Sequence, residues 1–127
     1  METLTHSCYF QLGFRMSLEP LCTVVATWAE QYPDIRRVWL YGSRVKGTAR
    51  PDSDLDIAVE IHPRVFRGQS TFMWWILESV AMKATLSALM TSPVPHIQHY
   101  EQSEIEVLSG VAEHHVLVYQ SGAAPPI

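Results

Sequence analysis

Lysine and arginine are in short supply in this chain: nine stand against thirteen aspartates and glutamates in 127 residues, a formal charge of -4. A protein that grips duplex DNA through its phosphates carries a basic surplus, so tight, sequence-independent DNA binding is excluded from the reading. Only two cysteines occur, Cys8 and Cys22. They are too few for a disulfide framework or a four-thiolate zinc site, and they read as reduced, cytosolic thiols. No uncharged apolar run reaches the roughly 18 residues that a membrane helix needs, because Glu78 and Lys83 break the longest candidate, Phe72 to Met90. The first residues hold Glu2 and His6 without a basic segment, which does not make a signal peptide. What is plentiful is apolar side chain, 47% of the chain. That is the composition of one soluble globular domain, and a second domain of this chain would have no core.

The charge is unevenly laid out. Arg36, Arg37, Arg44, Lys46 and Arg50 supply five of the nine basic residues, and Asp52, Asp54, Asp56 and Glu60 follow at once. Beyond Lys83 there is no lysine or arginine, while four of the six histidines lie there. A cationic loop beside an acidic strand suits an anionic, metal-bound ligand, because phosphates take the cations and the metal takes the carboxylates.

Residues 1–16 have no clean period and read as an N-terminal extension. From Ser17 to about Gln31, Leu18, Leu21, Cys22, Val25, Trp28 and Ala29 recur at helical spacing, with Ser17 placed to cap, Pro20 in the first turn and Pro33 as the stop. Arg36 to Tyr41 predicts a strand that stops at Gly42-Ser43. Asp54 to Ile61 alternates strictly: Leu55, Ile57, Val59 and Ile61 share one face, Asp54, Asp56, Ala58 and Glu60 the other. After a loop with Pro63 and Gly68, residues 70–90 predict a helix with Phe72, Trp75, Ile76, Val80 and Leu86 toward a core; Pro93 and Pro95 close it. Val94 to Tyr100 is a third strand, Ser103 to Gly110 a short helix opened by a Ser103–Glu106 capping box, His115 to Tyr119 a last strand, and 121–127 a loose tail. The order predicts an α/β (α+β) domain over residues 17–120, a small mixed β-sheet flanked by helices. Trp74 and Trp75 are helix neighbours, so at least one is expected at the surface or an interface.

The stretch that carries chemistry is Gly42 to Glu60, GSRVKGTARPDSDLDIAVE. A side-chain-free Gly42 at the end of a strand lets backbone approach a phosphate, and Ser43 adds a hydroxyl donor. This is not a P-loop, since Thr48 stands where that motif has lysine. Asp54 and Asp56, two apart on a strand, present carboxylates that can share divalent cations, as two-metal phosphoryl transfer requires. An EF-hand is excluded, because Ile57 replaces its central glycine and Pro63 its closing glutamate.

Gly42-Ser43, ten residues, then Asp54-x-Asp56, set within LYGSR and GTARPDSDLDIAV, resembles the signature of the minimal nucleotidyltransferases of the DNA polymerase beta superfamily, over roughly Ser17 to Gln120. The resemblance implies a nucleotidyltransferase fold. It further implies nucleotide binding by Gly42 and Ser43, with Arg44 and Lys46 as phosphate contacts. Asp54 and Asp56 become the catalytic ligands of magnesium (or manganese). The reaction implied is in-line attack of an acceptor hydroxyl on the α-phosphorus with loss of pyrophosphate. The family's third carboxylate belongs on a later strand, which here reads VPHIQHYE; no aspartate follows Asp56, and His96, Gln98, Glu101 or nothing stands in its place. His96 and His99 fall on opposite faces of that strand, and His114 and His115 read as structural.

Minimal members of this size resemble the antitoxin half of modules whose toxin is a helical HEPN-type nuclease. The resemblance thus implies a cytoplasmic enzyme that moves AMP from ATP to a protein hydroxyl, in a homo- or hetero-oligomer. Two other readings stand beside it: a catalytically impaired module that binds nucleotide or docks on a partner, and transfer to a small molecule such as an aminoglycoside, for which 127 residues leave little room.

Overall fold

The computed structural model describes residues 18–62 and 71–122. The expected extension 1–16, the Ser17 cap, the loop at Pro63 and Gly68, and the end of the tail lie outside the described residues. Helix α1 runs Glu19–Ala29 with Pro20 in its first turn and buries Cys22, Val25, Ala26, Trp28 and Ala29, the helical stripe expected from the sequence. Cys22 is disulfide-bonded, which corrects the expectation of reduced thiols at this position; Cys8 lies outside the described residues.

Strand β1 (Ile35–Tyr41) leads into a one-turn helix α2 (Ser43–Lys46), where the sequence suggested only a loop. Strand β2 is Leu55–Ile61, with Asp54 immediately before it. Helix α3 is Phe72–Leu89, β3 is Pro95–His99, α4 is Ile105–Glu113 and β4 is His115–Gln120. The four strands lie in the order β3-β2-β1-β4. β1 is antiparallel to both β2 and β4, and β2 is parallel to β3. The sheet is therefore mixed, as expected.

Alternation along the strands divides the sheet into two faces. Val38, Leu40, Ile57, Val59, Ile97, Val116 and Val118 form one buried layer with α1 and α3. Trp39 and Ala58 form the other with Val107 and Val111 of α4. The Trp28 indole N–H ties α1 to α3, donating to the Met82 carbonyl (3.2 Å) and to Thr85 Oγ1 (3.0 Å).

Two local expectations change. In α3 the buried side chains are Ser79, Met82 and Leu86, whereas Phe72, Ile76 and Val80, expected inside, are 44%, 49% and 72% exposed. Apolar residues lie on every side of this helix, so periodicity leaves its rotation open, and tertiary contacts decide it. Trp75 stacks on His99 of β3, with ring centroids 4.9 Å apart and planes 7° from parallel. Trp74 donates to Asp34 Oδ2 at 3.2 Å. Both tryptophans are half-buried, each held by a partner within the fold. At the start of α4 the Ser103–Glu106 box is absent: the Ser103 amide (3.0 Å) and hydroxyl both donate to the Glu101 carboxylate. A turn closed by Glu104 N–H on the Glu101 carbonyl (2.8 Å) brings those groups together first.

Candidate active site

β1 delivers the chain to Gly42, whose backbone (φ 84, ψ -157) lies in a region that side-chain-bearing residues avoid. Its carbonyl accepts from the Val45 and Lys46 amides at 3.1 and 3.0 Å, closing α2. Val45, 5% exposed, pins this turn to the core. Gly47, at φ 88, ends it in the left-handed region. A Cβ on Gly42 would collide with Asp56 Oδ2. The glycine is thus required twice, by its own dihedral and by the carboxylate packed against it. Ser43 follows as the first residue of this turn.

Asp56 sits in a row of side chains across the sheet: His96 on β3, Asp56 on β2, Tyr41 on β1 and His115 on β4 are successive register partners. His96 Nδ1 is 3.3 Å from Asp56 Oδ1. The Gln98 side-chain nitrogen lies 2.7 Å from His96 Nε2, so the ring is held between Gln98 and Asp56. Burial first, and then the Asp56 charge, push the Tyr41 phenol up to about 12, so it is a neutral donor at physiological pH. Asp54 is exposed, two positions from Asp56.

The other sequence candidates are distributed around this row. Arg44 turns away to close the 47–54 loop: Nε and Nη2 donate to the Ser53 carbonyl (3.1 and 2.8 Å), and Nη2 also to that of Pro51 (3.3 Å). Lys46 Nζ pairs with Glu113 Oε1 of α4 at 3.0 Å, and the hydrogen bond and charge of Lys46 draw the Glu113 carboxyl below its usual range. Glu101 lies past the end of β3, holding Ser103. His99 faces away from His96, 2% exposed on the opposite side of the sheet, where Thr71 Oγ1 meets its Nε2 at 2.8 Å. His115 Nδ1 donates to the Val111 carbonyl at 2.7 Å, within the fold.

Beside the row opens a cleft of about 500 Å³, lined by Tyr41, His96 and Gln98 of the sheet and by residues 103–107 leading into α4. Sequence reasoning did not reach Tyr41 or this cleft. The signal available was alternation in β1, which puts Tyr41 on the Asp56 face once β1 and β2 are paired.

The family model described as "Polymerase beta, Nucleotidyltransferase" matches residues 24–122. The chain belongs to this family. Among solved structures, this nucleotidyltransferase-family chain is similar to a toxin-antitoxin complex crystallised with AMP-PNP, at 16% identity and TM-score 0.57, covering 80% of this chain and 74% of that one. It is also similar to a mutant of the toxin-antitoxin MntA-HpeT (14% identity, TM-score 0.56, 80% and 74% covered). A candidate nucleotidyltransferase from Sulfolobus solfataricus matches at 14% identity and TM-score 0.50, with 92% and 93% covered. At these identities the likeness bears on the fold. No curated protein matches the chain. In this nucleotidyltransferase domain the strand paired with β2 sets a histidine beside Asp56: of His96, Gln98 and Glu101, it is His96 that reaches the carboxylate.

Proposed function

We propose that the chain is a magnesium-dependent nucleotidyltransferase that moves AMP from ATP to a hydroxyl of a protein partner, neutralising a helical HEPN-type toxin. The observation that carries this reading is the close approach of Asp56 to Gly42, which supports a turn suited to phosphate beside a carboxylate suited to a metal. Among the described residues no three His, Cys, Asp or Glu side chains are grouped so as to hold a metal ion by themselves. Magnesium does not need such a cage: it keeps waters and takes one or two carboxylates plus phosphate oxygens. Asp54 and Asp56 fit that requirement. The ion, when bound, would neutralise triphosphate charge. Gly42 keeps the turn clear of side chain, Ser43 offers its hydroxyl and amide to phosphate, His96 orients Asp56, and neutral Tyr41 stands ready to donate beside it.

The toxin–antitoxin neighbours, one of them with AMP-PNP, support ATP as donor and a toxin as partner. The apolar side chains left bare on α3, Met73, Ile76, Leu77 and Val80 among them, supply a surface for such a partner. A cytoplasmic setting goes with this reading; no helix among the described residues is long and apolar enough to cross a membrane.

The test is incubation with α-labelled ATP, magnesium or manganese, and the product of the neighbouring reading frame. Label should pass to that protein, and Asp54→Asn or Asp56→Asn should each remove the transfer by deleting a metal charge. The second reading, docking without catalysis, is favoured by His96 occupying the place of a carboxylate. It predicts no label transfer, with both Asp→Asn variants still neutralising the partner.

A further inference from the structure

Helix α3 is apolar on both sides but packs on one. Its buried side chains, Ser79, Met82 and Leu86, form a narrow stripe facing the core. At 3.6 residues per turn, Met73, Leu77, Val80, Ala84 and Ala88 fall on the side opposite that stripe, and all five are exposed. Met73, Leu77 and Val80 are 54%, 66% and 72% accessible, with exposed Ile76 and Ala81 beside them. The helix has two charges, Glu78 and Lys83, and both stand at the flanks of this outer face. A helix that is apolar all round is a buried helix, so the outer face calls for a cover.

Side-chain size along the face selects the cover. Large residues occupy its first half, and Ala81, Ala84 and Ala88 its second. Turn the same helix of a second copy end for end about a two-fold axis between residues 80 and 81. Val80 then faces Ala81, Leu77 faces Ala84 and Met73 faces Ala88. Large meets small at each level, as close packing of facing helices requires. A parallel pair would crowd leucine on leucine at one end and leave alanines across a gap at the other. The end-for-end contact is self-complementary and closes on itself as a dimer. The face offers roughly 500 Å² of apolar surface, so a pair removes roughly 1,000 Å², the size at which a specific, weak association begins. It lies across the sheet from Asp56, which shares the α4 side with Tyr41 and Ala58, so pairing leaves both candidate active sites open.

We infer that α3 is a self-association surface, on which α3 of a second copy of this chain lies antiparallel. The inference does not depend on the nucleotidyltransferase reading. A toxin that uses the same apolar side chains takes them by displacing the second copy.

Sedimentation equilibrium of the full chain tests this. A dissociation constant of about 10–100 μM suits so small an interface. At about 200 μM, above that range, the mass should therefore approach twice the 14.4 kDa of one chain. Leu77→Glu puts a charge into the seam and should weaken association at least tenfold; Ala84→Glu should do the same. At about 1 μM, where the chain is single, both should melt within about 2 °C of the parent. Ile105→Glu, at a position 71% exposed on α4, should leave association unchanged, and high salt should not weaken an uncharged seam. Oxidative cross-linking reads the orientation. In a mixture, Leu77→Cys should join to Ala84→Cys far more than either joins to itself, since the two copies of residue 77 stand about 10 Å apart along the pair. A mass that stays at 14.4 kDa at the higher concentration, association untouched by both glutamate variants, or equal self-joining of Leu77→Cys would each overturn the assignment. So would a chain that stays single while Leu77→Glu abolishes its binding to the product of the neighbouring reading frame, which gives the face to that partner instead.

Discussion

Replacing Gly42 by alanine tests the centre of the site with a single methyl group. At φ 84 and ψ -157, an alanine backbone is held in a region open essentially to glycine alone, a strain of about 1–3 kcal/mol. The new Cβ also meets the Asp56 carboxylate, and overpacking of this kind adds about 1–3 kcal/mol where the neighbour is fixed. Asp56 is 29% exposed and can rotate outward, so the lower half of the second range applies. The sum is about 2–5 kcal/mol, a large part of the stability of a small domain. At about 4 °C per kcal/mol for this length, the melting temperature should fall by about 8–20 °C in calorimetry. Where rotation of Asp56 relieves the clash, the melting loss sits at the low end. The cost then appears as lost magnesium-dependent binding of a fluorescent ATP analogue, because the carboxylate has left its place. A variant that melts within 2 °C of the parent, by about the same conversion, and binds the nucleotide equally well would refute both the backbone requirement and the Gly42–Asp56 geometry.

Leu40→Ala, at a fully buried position of β1, should cost about 2–5 kcal/mol in urea unfolding, while Leu77→Ala, 66% exposed on α3, should stay within about 0.5 kcal/mol; the reverse order would mean that the rotation of α3 is wrong. His96→Asp puts a second carboxylate beside Asp56, so it should lower the melting temperature without metal and enlarge the rise produced by magnesium, an outcome that thermal melting with and without chelator reads directly. Burial holds the His99 imidazole below its ordinary value, with Glu101 and Glu104 offsetting part of the shift. On acidification from neutrality the unfolded state takes up a proton first, so stability present above about pH 6.5 is lost as pH falls toward the folded value. Urea midpoints at pH 7.5 and 5.5 should therefore converge in His99→Phe relative to the parent, and equal slopes in both would remove His99 as the cause.

Much of the fold is legible because burial and alternation say the same thing. In DLDIAVEI the apolar positions Leu55, Ile57, Val59 and Ile61 all lie in the core, and the intervening carboxylates have nowhere to go but the other face. In α3 that agreement is missing. With apolar residues on every side, the sequence leaves the rotation undetermined, and two tertiary contacts, Trp75 on His99 and Trp74 on Asp34, select it. The turn at Ser103 fails for a related reason: Glu101 and Glu106 are both glutamates within reach of one serine, and local chain geometry rather than residue type chooses between them.

The neighbour of Asp56 was undetermined for a different reason, since it depends on register between strands separated by a whole helix. His96 and Gln98 share a face and differ by one pleat, so alternation alone admits either. Burial of Ile97 (3%) and His99 (2%) fixes which face they take. The choice between them is made by backbone: Leu55 N–H donates to the Val94 carbonyl at 2.9 Å, and Tyr100 N–H to that of Val59 at 2.8 Å. These two bonds bracket β3 against β2 and leave His96 opposite Asp56. A two-residue slip would bring Gln98 there only by breaking both of these bonds. Position 96 is therefore set beside Asp56 by the register of β3 against β2. That is why a single substitution at position 96 suffices to ask whether the missing carboxylate is what the site lacks.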